Sequence, residues 1–257
     1  MTNAQSKSDK LYDRMLADIL SLNLPPDSAL RLPALSERYG IGLTPIRECL
    51  NRLASEKFVA PEHNKGFRVA NLSRTDLLDL ERSRNTVEGA MFADAVVRGD
   101  DQWEAAVIGA YHHLSRTPVP SFLKVSDGLE LWNTRHHAFH DALVAAAQSV
   151  WMRQFRTQLG HQLSRYHLFI LNGLRDLART QQDVAERAAQ IFATPMALEP
   201  HAALYDAALA RDPDKARQMF EVHANLSTRA YEELTALIPS ETNVAAALST
   251  VKTEAHP

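Results

Sequence analysis

Cysteine is almost absent from this chain of 257 residues, in which Cys49 is the single one. An intramolecular disulfide is therefore excluded, and a lone thiol is typical of a reducing compartment. No stretch approaches the run of about 20 apolar residues that a membrane span needs. An excess of one charge is also lacking, because the formal net charge is only −3. The total charge therefore does not by itself indicate a nucleic-acid partner.

The overall composition is that of an ordinary globular protein. Hydrophobic residues make up 45% of the chain and charged residues 23%, which excludes wholesale disorder. Residues 1–10 are polar and no apolar run follows them, so they do not resemble a secretory signal. We therefore expect a cytoplasmic protein without a membrane partner.

Charge is distributed unevenly along the chain. Residues 1–72 carry ten Lys and Arg against eight Asp and Glu, a net of +2. The remaining residues carry eighteen basic and twenty-three acidic side chains, a net of −5. This asymmetry weakly indicates two units with different partners.

Residues 1–72 begin with three predicted helices. Apolar residues recur at helical spacing over 11–22, and a second helix is predicted over 33–39, where a glycine ends it. A third helix is predicted to start with Thr44 as its cap and Pro45 as its first residue.

A two-stranded hairpin is predicted directly after these helices. Residues 57–60 and 67–70 are extended runs, and a turn at 63–66 joins them. A tight helix-turn-helix followed by a hairpin predicts a winged helix-turn-helix domain over 1–72. The alternative is another small α+β domain.

The rest of the chain shows no strand pattern. Amphipathic segments predict an all-α bundle of six or seven helices over 73–237, and residues 238–257 are predicted to be a flexible tail. The predicted fold class is therefore mainly α, with an N-terminal winged helix-turn-helix followed by an all-α helical bundle.

Candidate DNA contacts follow from the winged helix-turn-helix interpretation. The third helix would enter the major groove with its N-terminal residues nearest the bases, and the wing would follow the backbone. Each arginine can instead be a solvated surface residue, and Cys49 is interpreted as a core residue rather than a nucleophile. The predicted DNA-binding residues are Arg31, Thr44, Pro45, Arg47, Lys65, Gly66 and Arg68.

Four of the eleven histidines have a spacing that suits a metal. His136 and His140 are four apart on one predicted helix, so they share a face. A helical hairpin turning at 211–213 can bring His201 and His223 together. Four converging imidazoles would suit Zn²⁺, Ni²⁺ or Cu²⁺. The alternative is a set of polar, solvated helix faces.

Several motifs together resemble the GntR family of transcription regulators. The run Leu43–Leu50, LTPIRECL, resembles the family's recognition helix, which typically reads RTPVREAL. The segments LSERYG at 35–40 and KGFRV at 65–69 agree with its flanks. Arg84 and Glu88 match the Arg-x-x-x-Glu that opens the family's FCD effector domain.

The resemblance continues into the second half and covers about residues 10–236. Phe139-His140-x-x-Leu143 resembles an FCD motif, and His201, Arg211-Asp212 and His223 resemble the last two helices of that domain.

Two departures from the family pattern have consequences. Gly42-Leu43 stand where the family usually has Ser-Arg, so the operator is expected to differ from the common one. His136 stands where the metal motif usually has Asp, which predicts a four-histidine site. Both departures, together with Trp132, Arg135 and Arg165-Tyr166, look similar to the carbon-starvation-induced subgroup, whose members respond to glutarate.

The resemblance implies a cytoplasmic homodimer that binds operator DNA and is not an enzyme. It would be a repressor of a carboxylic-acid catabolic operon. A small organic acid such as a dicarboxylate, bound beside a divalent transition metal (Zn or Ni), would release it. The implied metal ligands are His136, His140, His201 and His223, and the implied effector-binding residues are Arg84, Arg135, Arg165 and Tyr166.

Two alternatives remain at this point. A histidine-rich metal site can activate water in a hydrolytic enzyme, although neither Glu130 nor Asp141 is well placed as a general base. A regulator can also hold its metal for a purely structural purpose.

Overall fold

A computed structural model describes residues 7–62, 66–121 and 127–238. The chain divides into two compact units, which are described separately. Among the described residues, the first unit contains the chain up to Ser73 together with the segment His161–Phe169. The second contains Arg74–Gly160 and residues 170–238. The domain boundaries at 72/73 and 237/238 stay predictions. None of the described helices combines the length and apolar character that a membrane span requires.

The first unit has the predicted order of a winged helix-turn-helix. The elements are α1 (Lys7–Leu20), β1 (Ala29–Leu30), α2 (Leu32–Tyr39), α3 (Leu43–Ser55), β2 (Val59–Glu62) and β3 (Gly66–Val69). The strands form an antiparallel sheet in the order β1-β3-β2, with Ala29 opposite Arg68 and Val59 opposite Val69.

One local prediction in this unit was wrong, and one strand was not predicted. Helix α3 begins at Leu43 with Gly42 at the N-cap, so Thr44 lies in the first turn and is not the cap. The predicted hairpin of β2 and β3 is present, and Ala29–Leu30 adds a third strand on β3. Two residues are too few for an alternating pattern to be visible in a sequence.

The core of the first unit lies between its helices and the sheet. Met15 and Ile19 of α1 are fully buried, as are Ile46 and Leu50 of α3 and Phe58 at the start of the wing. Cys49 is 3% exposed and lies in this cluster, which confirms its interpretation as a core residue.

The second unit is all-α and contains residues of seven described helices, one of which, α7, has its middle segment His161–Phe169 in the first unit. Side chains cap three of the helix N-termini, since Asp100, Ser149 and Asp212 accept hydrogen bonds from backbone N–H groups of the first turn. The helices are α4 (Arg74–Arg98), α5 (Asp101–Ser115), α6 (Asp127–Val144), α7 (Val150–Ala178), α8 (Gln182–Met196), α9 (Leu198–Leu209) and α10 (Pro213–Ala236).

Five large aromatic residues lie in the core of the bundle. Phe92, Trp103, Trp132, Phe139 and Phe220 are all buried, and they belong to one apolar cluster contributed by α4, α5, α6 and α10. Residues of α9 belong to the same cluster, so α6, α9 and α10 all contribute to one core. These three helices carry the four histidines that were predicted to bind a metal.

Candidate DNA-reading and metal-binding sites

Helix α3 has a buried face and an exposed face. Ile46, Cys49, Leu50 and Leu53 are buried in the core of the first unit. Arg52 and Ser55 are exposed near the end of α3, and its earlier turns present the exposed residues Leu43, Thr44, Arg47, Glu48 and Asn51. Since the N-terminal part of the second helix of such a motif reads base edges, this face is the candidate DNA-reading surface.

Glu48 and Asn51 of this face were not among the predicted DNA-binding residues. Asn51 lies one turn after Arg47, so the two share an edge of α3. A carboxylate accepts from cytosine and an amide pairs with adenine, so both side chains suit base reading. Glu48 follows Thr44 by four residues and Asn51 follows Arg47 by four. This helical spacing could have identified both residues from the sequence.

The other predicted DNA contacts have different surroundings. Arg31 is exposed at the N-cap of α2, and Pro45 lies in the first turn of α3. Gly66 has φ +97° at the start of β3, a backbone conformation that favours glycine. Lys65 lies outside the described residues. The DNA role of each of these residues stays a prediction.

Arg68 is already engaged inside the wing. Its Nε donates to Glu62 Oε1 at 2.8 Å, and its Nη1 donates to the carbonyl of Asp27. The hydrogen bond with Glu62 raises the pKa of Arg68. A contact from Arg68 to DNA therefore has to compete with this ion pair.

The four predicted metal ligands converge inside the second unit. His136 and His140 of α6, His201 of α9 and His223 of α10 each offer a ring nitrogen, and these atoms lie within 4.8 Å of one another. The ring centroids of His201 and His223 are 4.7 Å apart, and those of His136 and His140 are 4.5 Å apart. Trp132 stacks on His136 at 4.4 Å and closes one side of the cluster.

The ring nitrogens of this cluster are available for a metal. His140 Nε2, His201 Nε2 and His223 Nδ1 are buried and have no hydrogen-bond partner among the described residues. His201 Nδ1 lies 2.8 Å from the carbonyl oxygen of Ala197, and when Nδ1 donates to it, Nε2 keeps its lone pair. Buried polar atoms without partners are costly, so this donor set fits a bound cation.

Electrostatics keep these imidazoles neutral. Burial lowers the pKa of His136, His140 and His223 well below its usual value, and neighbouring positive charge adds to the effect. Burial also lowers the pKa of His201, which the contact with Ala197 partly offsets. Neutral imidazole is the form that binds metals, and four nitrogen ligands suit Zn²⁺, Ni²⁺ or Cu²⁺.

Arg84 of α4 lies within electrostatic range of the cluster. Its charge contributes to lowering the pKa of His136, His140 and His223. Burial opposes the charge of Arg84, but Glu81 and Glu88 outweigh it and raise the pKa of the guanidinium. Arg84 Nη2 lies 3.1 Å from Glu81, whereas its buried Nε has no hydrogen-bond partner among the described residues. A permanently charged donor is thus held near the histidines.

Arg135 lies at the edge of a small pocket beside the cluster. Its Nη1 donates to Thr117 Oγ1 at 2.8 Å and to the carbonyl of His113 at 3.2 Å. Thr117 lines this pocket together with Trp132 and His201. Arg135 therefore borders a space that reaches one of the four histidines.

Arg165 and Tyr166 have contacts within the first unit. Arg165 is 1% exposed, and its Nη2 donates to the carbonyl of Ala70 at 2.7 Å. The hydroxyl of Tyr166 accepts from the backbone N–H of Ser73 at 3.3 Å. Neither contact involves the histidine cluster. An effector role for this pair stays a prediction, and these two contacts favour a structural role.

These sites define a class of protein. An N-terminal winged helix-turn-helix with an exposed reading face is combined with a helical unit that holds a buried, metal-competent cluster. This combination is that of a DNA-binding regulator with a separate helical unit.

Comparison with known proteins agrees with this class. The family of bacterial regulatory proteins, gntR family, matches residues 7–69, and the FCD domain matches residues 79–226. The chain is 33% identical over 216 residues to the HTH-type transcriptional repressor GlaR of Escherichia coli (strain K12), covering 82% of this chain and 90% of GlaR. The chain belongs to the GntR family of transcriptional regulators and carries an FCD domain.

A further relative is similar in sequence, and two solved structures share the fold. The chain is 30% identical to the HTH-type transcriptional regulator BphR of Paraburkholderia xenovorans (strain LB400), covering 88% of this chain and 86% of BphR. E. coli McbR/YncC has the same fold, with a TM-score of 0.61 at 18% identity over 90% of this chain and 99% of that one. A GntR regulator from Rhodococcus sp. RHA1 follows with a TM-score of 0.59 at 17% identity, covering 90% and 98%. The chain is a DNA-binding transcriptional regulator and not an enzyme, which removes the hydrolytic alternative.

Proposed function

We propose that this regulator is a repressor that a small carboxylic acid, such as a dicarboxylate, releases from its operator. The acid would bind in the FCD domain beside a divalent transition metal, Zn²⁺ or Ni²⁺. Repression is proposed because a relative covering 82% of the chain is named a repressor. We also propose that the operon it controls serves the catabolism of a carboxylic acid, since a repressor released by an acid would allow transcription when that acid is present.

The histidine cluster is the observation that carries this proposal. His136, His140, His201 and His223 bring four ring nitrogens within 4.8 Å of one another, and three buried nitrogens have no described partner. These residues would hold the metal, which would supply open coordination positions for a carboxylate oxygen. All four ligands are neutral, so a bound cation keeps its full charge and favours an anion.

Two arginines supply the rest of an acid-binding site in this proposal. Arg84 lies in electrostatic range of the cluster and has an unpartnered buried Nε, which suits a carboxylate. Arg135 borders the pocket that His201 lines. Two cationic groups near the cluster would match the two ends of a short dicarboxylate.

The coupling to DNA is thermodynamic. An acid can release the operator only if it binds the DNA-incompetent arrangement more tightly than the competent one. The cluster is suited to this because it joins α6, α9 and α10. We also propose that the regulator acts as a homodimer in the cytoplasm, and the molar mass measured by light scattering tests the dimer.

Metal content together with thermal shift tests the proposal. The wild-type chain is compared with His140→Ala and His223→Ala, and His137→Ala serves as control because His137 is outside the cluster on the same helix. We expect about one metal ion per chain in the wild type and the control, and loss of metal in the two cluster variants. Glutarate, succinate, 2-hydroxyglutarate, lactate and citrate are then screened, since a ligand of the folded state raises the melting temperature.

The outcomes separate the alternatives. A melting-temperature shift that needs both an acid and the metal supports the proposal. If chelation lowers the melting temperature but leaves the shift by the acid unchanged, the metal is structural and the acid binds at the arginines. No metal in the wild-type chain after purification and reloading contradicts the proposal.

A further inference from the structure

The exposed face of α3 starts with an apolar residue. Leu43 is the first residue of this helix and is 51% exposed. The side chains beside it on that face, Thr44 and Arg47, are polar. The buried face of α3 starts only at Ile46, so Leu43 takes no part in the core of the first unit.

The position of Leu43 places it at the bases. The first turn of the reading helix approaches base edges in the major groove. Arg47 lies four residues further on, so it shares an edge of α3 with Leu43. Thymine carries the apolar group of the major groove, its C5-methyl, and apolar side chains recognise thymine through that group.

We infer that Leu43 is a specificity-determining residue that contacts the C5-methyl group of a thymine in each operator half-site. The inference rests on the proposed function in two respects, that α3 is the reading helix and that a homodimer binds two half-sites. It assigns a base preference to a residue that forms no hydrogen bond through its side chain. Arg47 and Asn51 would read neighbouring base pairs along the same edge.

Removal of single methyl groups from the DNA tests this inference. Operator duplexes are first selected from a random pool with the full-length chain. Each thymine of the selected site is then replaced, one at a time, by deoxyuridine, which lacks only the methyl group. We expect one position per half-site at which this change weakens binding of the wild-type chain about fourfold, the value for one buried methyl group.

Variants of the chain test whether Leu43 causes the loss of affinity for deoxyuridine. For Leu43→Ala we expect equal affinity for thymine and deoxyuridine at this position, and a repeated selection that no longer favours thymine there. Val222→Ala is the matched control, because Val222 is 53% exposed and lies on α10 of the other unit. It is expected to behave as the wild type. Both variants should keep the wild-type circular dichroism spectrum, since the truncated side chains are exposed.

Failure of the Leu43 inference and failure of base reading by α3 would give different results. If a clear motif is selected but no thymine shows a methyl effect that Leu43→Ala removes, the inference is wrong while DNA reading by the chain stands. If no motif is selected at all, the assumption that α3 reads bases fails and the inference falls with it.

Discussion

At the residue scale, burial decides what chemically identical side chains do. Arg47 and Arg165 both belong to the first unit. Arg47 is exposed on the reading face of α3, whereas Arg165 is 1% exposed and donates to the carbonyl of Ala70 and to Gln162. The buried guanidinium of Arg165 stabilises the fold through its backbone and amide acceptors. The exposed guanidinium of Arg47 remains available for DNA.

This contrast predicts opposite effects of the same substitution. Arg165→Met should lower the free energy of unfolding by about 2–4 kcal/mol, because buried charge-assisted hydrogen bonds are removed. Arg47→Met should leave stability within about 0.5 kcal/mol and weaken operator binding by about 1–3 kcal/mol. Urea denaturation and fluorescence anisotropy measure the two effects. Equal reduction of stability in both variants would contradict this assignment.

Cys49 provides a second test at this scale. Burial raises the pKa of its thiol to about 11, so roughly one molecule in a thousand carries the thiolate at pH 8. We expect Cys49 of the native chain to react slowly with a disulfide reagent at pH 8, and faster as the pH approaches 11. In guanidinium one equivalent should react at once, which is the internal control. Rapid reaction of the native chain at pH 8 would show that α3 is not packed as described.

The contacts of some candidate residues could be predicted from the sequence, and those of others could not. The spacing of His136 and His140 and the helical hairpin between His201 and His223 allowed a four-histidine cluster but did not exclude solvated helix faces. The family resemblance implied the full ligand set, and the structure brings the four residues together. The contact of Arg165 with Ala70 was not predictable, because this hydrogen bond joins residues 95 positions apart. A side-chain role that depends on a long-range contact leaves no periodic signal in the sequence.

At the scale of elements, the junction between α4 and α5 leaves less room for an added side chain than the interior of α5 does. Gly99 separates α4 from α5, and a Cβ at this position would lie 2.2 Å from the ring of Trp103. That indole donates to the carbonyl of Ala142 at 2.9 Å and packs under Arg211 at 4.8 Å. Gly109 lies inside α5, and a Cβ there would meet nothing within 4 Å.

We therefore expect replacement by alanine to change the stability of the chain in opposite directions at these two glycines. Gly99→Ala should destabilise the chain by about 1–3 kcal/mol, because Trp103 has to move in a close-packed core. Gly109→Ala should stabilise it by about 0.5–1 kcal/mol, because alanine favours the helix interior. Thermal unfolding of both variants is the measurement. A stabilised Gly99→Ala variant would contradict the described packing of Trp103.

Element boundaries were predictable where the chain carries strong local signals. Proline at the start of α10 and glycine after α2 gave limits close to those seen, and the long periodic segments of the bundle were predicted as helices. The start of α3 at Leu43 and the two-residue strand β1 were not predicted. Both depend on backbone contacts rather than on side-chain pattern.

At the scale of the whole molecule, the uneven charge has a measurable consequence. Binding to DNA phosphates releases counterions, so operator affinity should fall steeply with salt. If exposed Arg31 binds one phosphate, Arg31→Ala should reduce the slope of log affinity against log salt by about 0.9. Leu43→Ala should leave the slope unchanged because it removes no charge. Identical slopes for Arg31→Ala and the wild type would remove Arg31 from the interface.

The most direct test of acid sensing by the FCD domain is to measure whether an acid releases the operator. Fluorescence anisotropy of a labelled operator is measured while glutarate is added to metal-loaded chain, to chelated chain and to His140→Ala, with His137→Ala as control. We predict release from the metal-loaded wild type and the control, and little or no release from the other two. Release that is equal in all four samples would contradict the proposed function, because the histidine cluster would then have no part in the response.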